Sequence, residues 1–442
     1  MKKAILFLMV LCLSVVLQAQ ISKTITNLTP GGLITQMTSA ELTTITNLIL
    51  SGTIDARDIK TMKQTMTKLA VVDLSNTTIA AINESTYFPA NTIPYAAFDG
   101  KISLTSVILP ALITSIDIYA FNNCINLISV NMPSSVTTVG DAAFYGCSGL
   151  KSIILSNSLT TIGTAAFTDC KGLTSIDLPN AVTFIGNSAF YGCSGLTSVT
   201  FPNSLTTIEE GAFKNCSNLT SVILPNFLKT IGTSAFADCK GLTLIDFPIS
   251  LTSMGNGTFS GCSSLTSVTL PNSITTISNG LFAQCSSLTS IILPASVTSI
   301  GQNAFTNCNQ LASICAYPST PVVLSSSNVF DGVNKNTCTL NVPSESLDLY
   351  KAADVWKDFA KIGIITSTGK EIKNDAITVS PNPAKEVITI HAQKGVVYIY
   401  NSNGELLITQ SLEKNKQVNI RSLQSGIYLV VVNGESFKII KE

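Results

Sequence analysis

From residue 96 onward the apolar positions of the chain recur with a fixed step of 23. Phe121, Phe144, Phe167, Phe190, Phe213, Phe236, Phe259, Phe282 and Phe305 keep this step, and each is followed three residues later by a cysteine, from Cys124 to Cys308. Ten leucines from Leu104 to Leu311 do the same. Prolines recur at Pro110, Pro133, Pro179, Pro202, Pro225, Pro248, Pro271 and Pro294, with Ser156 at the one gap. In the unit Leu196 to Asn218, the spacing of Leu196, Val199 and Phe201 predicts a short strand that Pro202 ends. Leu205 and Ile208 form a second apolar edge, and Ala212, Phe213 and Cys216 return inward. Burying about seven side chains is worth on the order of 10 to 20 kcal/mol gross, against about 1.5 kcal/mol of ordering entropy per residue. One unit therefore cannot fold alone. Stacked on its copies, it gains ladder hydrogen bonds and a continuous core, which predicts a solenoid. Ten coils at about 4.8 Å each make a rod on the order of 50 Å long.

Both ends of the array break the rule. Ile45, Leu48 and Leu50, then Leu69, Val72 and Leu74, repeat the strand pattern with longer spacers, and Asp55 to Leu69 has a helical stripe of Ile59, Met62, Met66 and Leu69. This predicts an N-terminal cap over 20–95. Phe98 opens the regular coils of 96–313, with Lys101 in the place of cysteine. Over 314–365, Thr337, Leu340 and Val342 predict a last strand, and Ser344 to Phe359 a helical lid carrying Trp356 as cap packing. A polar linker, 366–375, precedes alternating segments in 376–442 that predict a small antiparallel β-sandwich. At the other end Lys2, Lys3, the apolar run Ala4 to Leu17 and Gln18-Ala19-Gln20 predict a signal peptide over 1–19. No later stretch is apolar enough for a transmembrane segment, so none is expected in the mature chain.

Composition narrows the function. Charged residues are 12% of the chain with 26 basic and 26 acidic side chains, against about 25% in an average protein. A nucleic-acid partner, which needs a basic surplus, is excluded. Ser and Thr, roughly one residue in four, take the place of charge on the surface. The single histidine, His391, has no cysteine or paired carboxylate near it in sequence. Phosphate loops and metal-binding motifs are missing too. We therefore expect no catalytic residues, metal or cofactor, and no enzyme activity. The nine repeat cysteines form a line and point the same way, which predicts buried free thiols. Cys315 and Cys338, themselves 23 apart, lie outside that line. If Ile314 pairs beside Leu340 their sulfurs are out of register, and a loop could correct this, so a disulfide and two free thiols both fit.

Residues after the inward Val or Ile of successive strands point outward and stack into a row: Ile108, Asn131, Ile154, Asp177, Thr200, Ile223, Asp246, Thr269 and Ile292. The row varies where the core positions do not, as an extended ligand-binding face would.

With a unit of the form L-x-S-[VI]-x-L-P-x-S-[VL]-T-[TS]-I-G-x-x-A-F-x-x-C, the array resembles the BspA-type leucine-rich repeat family. The resemblance covers about 96 to 313, and with the caps about 40 to 362. It implies a mainly β leucine-rich repeat solenoid with short strands and helical turns. It also implies a bacterial surface or secreted protein that adheres to host matrix proteins or to other cell-surface proteins. Ser380-Pro381-Asn382-Pro383-Ala384, Ser425-Gly426-Ile427-Tyr428, Lys438 and Lys441 resemble the type A C-terminal sorting domain of the type IX secretion system. Ser380 stands where that family usually has an aromatic or aliphatic residue. This second resemblance implies export to the outer surface or medium, with the type IX machinery as a partner. The alternative to adhesion is a structural spacer or surface-layer component without a specific ligand.

Overall fold

A computed structural model of the chain describes residues 20–442 except 84–85, 366–377, 381–383, 392–394, 401–405, 413–415, 433–434 and 442. The expected signal peptide, the linker 366–375 and Pro381, Asn382 and Pro383 lie outside the described residues.

Each regular coil except that of 150–172, which lacks the first, has two short strands, such as Ser198–Thr200 and Thr207–Ile208, separated by Pro202 and a turn and followed by consecutive turns that carry Ala212, Phe213 and Cys216 into the core. Neighbouring coils pair parallel and shifted by the repeat length, Ser175 with Ser198 and Thr207 with Thr230. The turn side is bonded as well, since the Phe190 amide donates to the Ala212 carbonyl and Phe213 to Ala235, both at 2.8 Å. Backbone ladders thus run along three sides of the rod.

Eleven phenylalanine rings, from Phe98 to Phe330, form an offset stack through the core with centroids 5.1–5.8 Å apart. Phe330, 25 residues after Phe305, continues a stack whose spacing in sequence has already changed. The nine repeat cysteines are buried free thiols. Each sulfur donates to the carbonyl of a phenylalanine 26 residues earlier, as Cys216 Sγ does to Phe190 O at 3.2 Å. That carbonyl also accepts the amide of the cysteine in its own coil, Cys193 N at 3.3 Å. Burial raises these thiols above their ordinary value, to about 12 at Cys193 and Cys308 and well above the ordinary thiol range at Cys170 and Cys216. The residue before each cysteine adopts a left-handed conformation, for instance Gly192 (φ 70°), Asn215 (63°) and Asp238 (58°). This explains why that position carries mostly Gly, Asn or Asp.

Lys101 fills the sulfur's place in the first coil, and its Nζ donates to the carbonyls of Met66 and Lys63 in the cap. Burial pushes it down to about 8. The cap helix is Ala56–Gln64, shorter than the sequence stripe. Asp55 caps it with a side-chain bond to Arg57 N, while Met66 and Leu69 are buried in the turns beyond.

The C-terminal cap differs from the expected single helix. Residues Ser344–Ser346 form a 3-10 turn, Leu347–Ala352 an α-helix and Trp356–Asp358 a second 3-10 turn, with Val355 at φ 67° breaking the run. Trp356 is buried, donates Nε1 to Val322 O at 3.0 Å, and with Phe359 packs edge-on against Phe330 to close the ring stack. Thr339–Val342 is not the last strand: Lys361–Ile364 pairs beyond it. Cys315 and Cys338 are both free, because the pairing that sets Ile314 beside Leu340 puts Cys315 opposite Asn341 and leaves Cys338 in the turn before the strand.

Residues 378–441 form two antiparallel sheets. One holds Thr378–Ser380, Val387–His391 and Lys416–Asn419; the other holds Gly395–Tyr400, Leu406–Leu412, Gly426–Val432 and Glu435–Lys441. Their core, including Ile388, Val397 and Val430, shares no residue with the core of the solenoid.

Candidate outward face of the solenoid

The predicted row exists. Val222 points into the core and Ile223, its neighbour, points out. Strand pairing sets Ile108 beside Asn131, Asp177 beside Thr200, Thr200 beside Ile223, Ile223 beside Asp246 and Thr269 beside Ile292. The sheet is interrupted at 152–154, in the coil that has Ser156 in place of proline, and again between Asp246 and Thr269. At the second gap the Thr266 amide still reaches Thr243 O at 3.3 Å. Ile154, at the first gap, is 84% exposed and Ile223 is 62% exposed. Ile108 and Ile292 are half-buried.

The flank of the row is a hydroxyl ledge. Thr197, Thr220, Thr243, Thr266 and Thr289 each donate Oγ1 to the carbonyl of the threonine one coil earlier, at 3.0–3.4 Å. Those hydroxyl protons are committed to the backbone. Within the row, Thr200 Oγ1 donates to Asp177 Oδ1 at 2.9 Å.

The variation along the row has an order that the single-coil reading missed. From Ile154 on it runs Ile, Asp, Thr, Ile, Asp, Thr, Ile, a period of three coils or 69 residues. Comparing each coil with the third one after it, instead of with the next, exposes this. Lys171 and Lys240, and Asp169 and Asp238, obey the same period at the turn corner.

Clefts border the row and the N-terminal cap. One, of about 240 Å³, is lined by Ile223, Asp246 and Phe247 together with Tyr398 and Tyr400 of the C-terminal domain, so that domain borders the face. The other, of about 300 Å³, lies between the cap helix and Tyr95. Of its cations, Arg57 pairs with Asp55 at 2.6 Å and Lys63 with Asp99 at 3.5 Å. Among the described residues no group of three or more His, Cys, Asp or Glu side chains is placed to hold a metal.

In the C-terminal domain, Gly426 is exposed at the start of its strand, and Tyr428 is buried with its hydroxyl donating to Gln424 O at 2.8 Å. Lys438 pairs opposite Leu429. Among the described residues no helix is long and apolar enough to cross a membrane.

Family models for the BspA type leucine rich repeat region match in six copies over 91–220 and 206–337, and the secretion system C-terminal sorting domain matches 378–442. The chain is similar to a leucine-rich repeat protein from Bacteroides ovatus of known structure, at 27% identity over 67% of this chain and 92% of that one, with a TM-score of 0.41. It is also similar to a leucine rich cell surface protein from Faecalibacterium prausnitzii, at 25% identity over 64% and 89%, with a TM-score of 0.37. For a Treponema pallidum leucine rich repeat protein the figures are 27% identity, 46% and 80%, and 0.35. None of the curated proteins matches.

Proposed function

Because this chain belongs to the BspA-type leucine-rich repeat family and ends in a type IX secretion sorting domain, which together make it a secreted or outer-surface protein, we propose that it is an adhesion-type recognition rod. Its repeat array presents the outward row to other proteins or cells. The observation that carries this reading is Ile154, the most exposed of the large apolar side chains described, set in a face of hydroxyl and carboxylate groups. Covering an isoleucine of this kind removes apolar area worth on the order of 25 cal/mol per Å². Recognition here works by shape and hydrogen bonding, since the chain carries 26 charges of each sign and no net charge to steer encounters. The chain carries no enzyme activity in this reading, and the sorting domain directs it to the export machinery.

The test replaces Ile154, Ile223 and Ile292 with Lys. The variant folds like the parent by circular dichroism and loses saturable binding to host matrix proteins and to partner bacteria. Binding that survives unchanged removes this face from consideration, and no binding by the parent supports the spacer.

A further inference from the structure

In the strand Gly395–Tyr400, Val397 and Ile399 point into the core of the C-terminal domain. Side chains alternate along a strand, so Tyr398 and Tyr400 lie on the outer face of that sheet, with ring centroids 6.5 Å apart. In a free-standing domain such a face meets solvent. Here Tyr398 and Tyr400 are half-buried, and Val431, paired opposite Tyr398, is 6% exposed although it belongs to neither hydrophobic core. A neighbour outside the domain covers them.

That neighbour is the solenoid. Both tyrosines line two clefts, of about 240 and 250 Å³, whose opposite walls include Thr200, Ile223 and Asp246 of the row. Burial, and after it the Asp246 carboxylate, raise the Tyr398 phenol above its ordinary value. A sequence signal marks the same coils. The position two after the inward Val or Ile is Leu or Met from Leu109 to Leu293, except at Phe201 and Phe247. These two flank the coil of Ile223, and each lines one of the clefts. The added aromatic surface falls where the tyrosines stand.

We propose that the C-terminal domain is an intramolecular mask: it docks through Tyr398, Tyr400 and Val431 on the centre of the row and withholds Thr200, Ile223 and Asp246 from other proteins. The masking rests on the recognition reading above; the docking does not. Ile223 keeps 62% of its surface open to water, but a protein interface of ordinary size needs about 800 Å² on each side, which no cleft of this kind admits. Ile154 and Ile292 line neither cleft, so the mask weakens recognition without abolishing it. Because both surfaces belong to one chain, the contact is independent of protein concentration.

Small-angle X-ray scattering of residues 20–442 tests the docking, and binding to matrix proteins and partner bacteria tests the mask. The parent is expected to scatter as one compact particle at every concentration. Tyr398→Asp sets a carboxylate against Asp246, releases the domain and raises the radius of gyration; adding Asp246→Lys returns the compact value. Ile223→Asp, which gives the row a residue it already carries at Asp177 and Asp246, releases the domain from the other side and leaves the C-terminal fold untouched. Tyr398→Asp binds at least tenfold more tightly than the parent, with an unchanged circular dichroism spectrum. A parent that scatters as two tethered bodies overturns the proposal, as does a compact parent indifferent to both variants. Release that leaves binding unchanged overturns the mask. If the domain docks and releases as described but no form binds, the recognition reading falls and the docking stands. If the parent is undocked yet binds through the isoleucines, the recognition reading stands and the mask falls.

Discussion

Val222 and Ile223 are adjacent, nearly equal in chemistry, and opposite in surroundings: one is 5% exposed and the other 62%. The inward position is Val or Ile in every coil from Val107 to Ile314, while the outward position takes Ile, Asn, Asp, Thr or Cys. Inside, each side chain must fit the copy above and the copy below, so one solution is multiplied. Outside, no neighbouring coil constrains the choice beyond solubility. What differs from coil to coil on that side is therefore available to a partner.

The largest effect expected from this contrast is alkaline unfolding. The nine interior thiols are held far above the ordinary value of about 8.5. A raised folded-state value means stability that is complete below the unfolded value and lost as pH climbs above it. Each thiol contributes about 1.4 kcal/mol per pH unit, so nine together remove on the order of 12 kcal/mol per unit above pH ~9, comparable to a whole domain's stability. Lys101, lowered to about 8, acts in the opposite direction between about 8 and 10.4, but it is one group against nine. Circular dichroism against pH should show cooperative loss of structure between about pH 9.5 and 11. Replacing Cys193, Cys216 and Cys239 with Ala should make the dependence about one third shallower.

Second in size is Phe213→Ala, which removes a ring stacked on both sides at 5.2 and 5.5 Å. It should cost about 3 to 5 kcal/mol in denaturant titrations. Smallest is any outward change: Ile154→Ser should alter stability by less than about 0.5 kcal/mol. A larger cost there would mean that the row serves the fold after all.

Much of this was readable from the sequence because a repeat states its own geometry. The step between phenylalanines fixes the register of the strands, and the alternation around Val222 fixes which side faces water. The thiol bond to a carbonyl 26 residues back was not readable, since that distance exceeds one repeat and depends on how the turns overlap. The C-terminal lid was misjudged where local composition favours a helix from Ser344 to Phe359 but burial of Trp356 and Phe359 against Phe330 requires a break at Val355. The order of the face was present in the residues and hidden by its longer period.

That period limits how such a chain can change length. The backbone ladders accept any number of coils, so duplicating or deleting a single 23-residue unit leaves a rod that folds as well as before. Within Ile154 to Ile292, however, deleting one coil between the isoleucines breaks the three-coil order of the outward row, while adding three keeps that order and lengthens the ordered face by about 14 Å. The structure grows by ones; the order of its outward face grows only by threes.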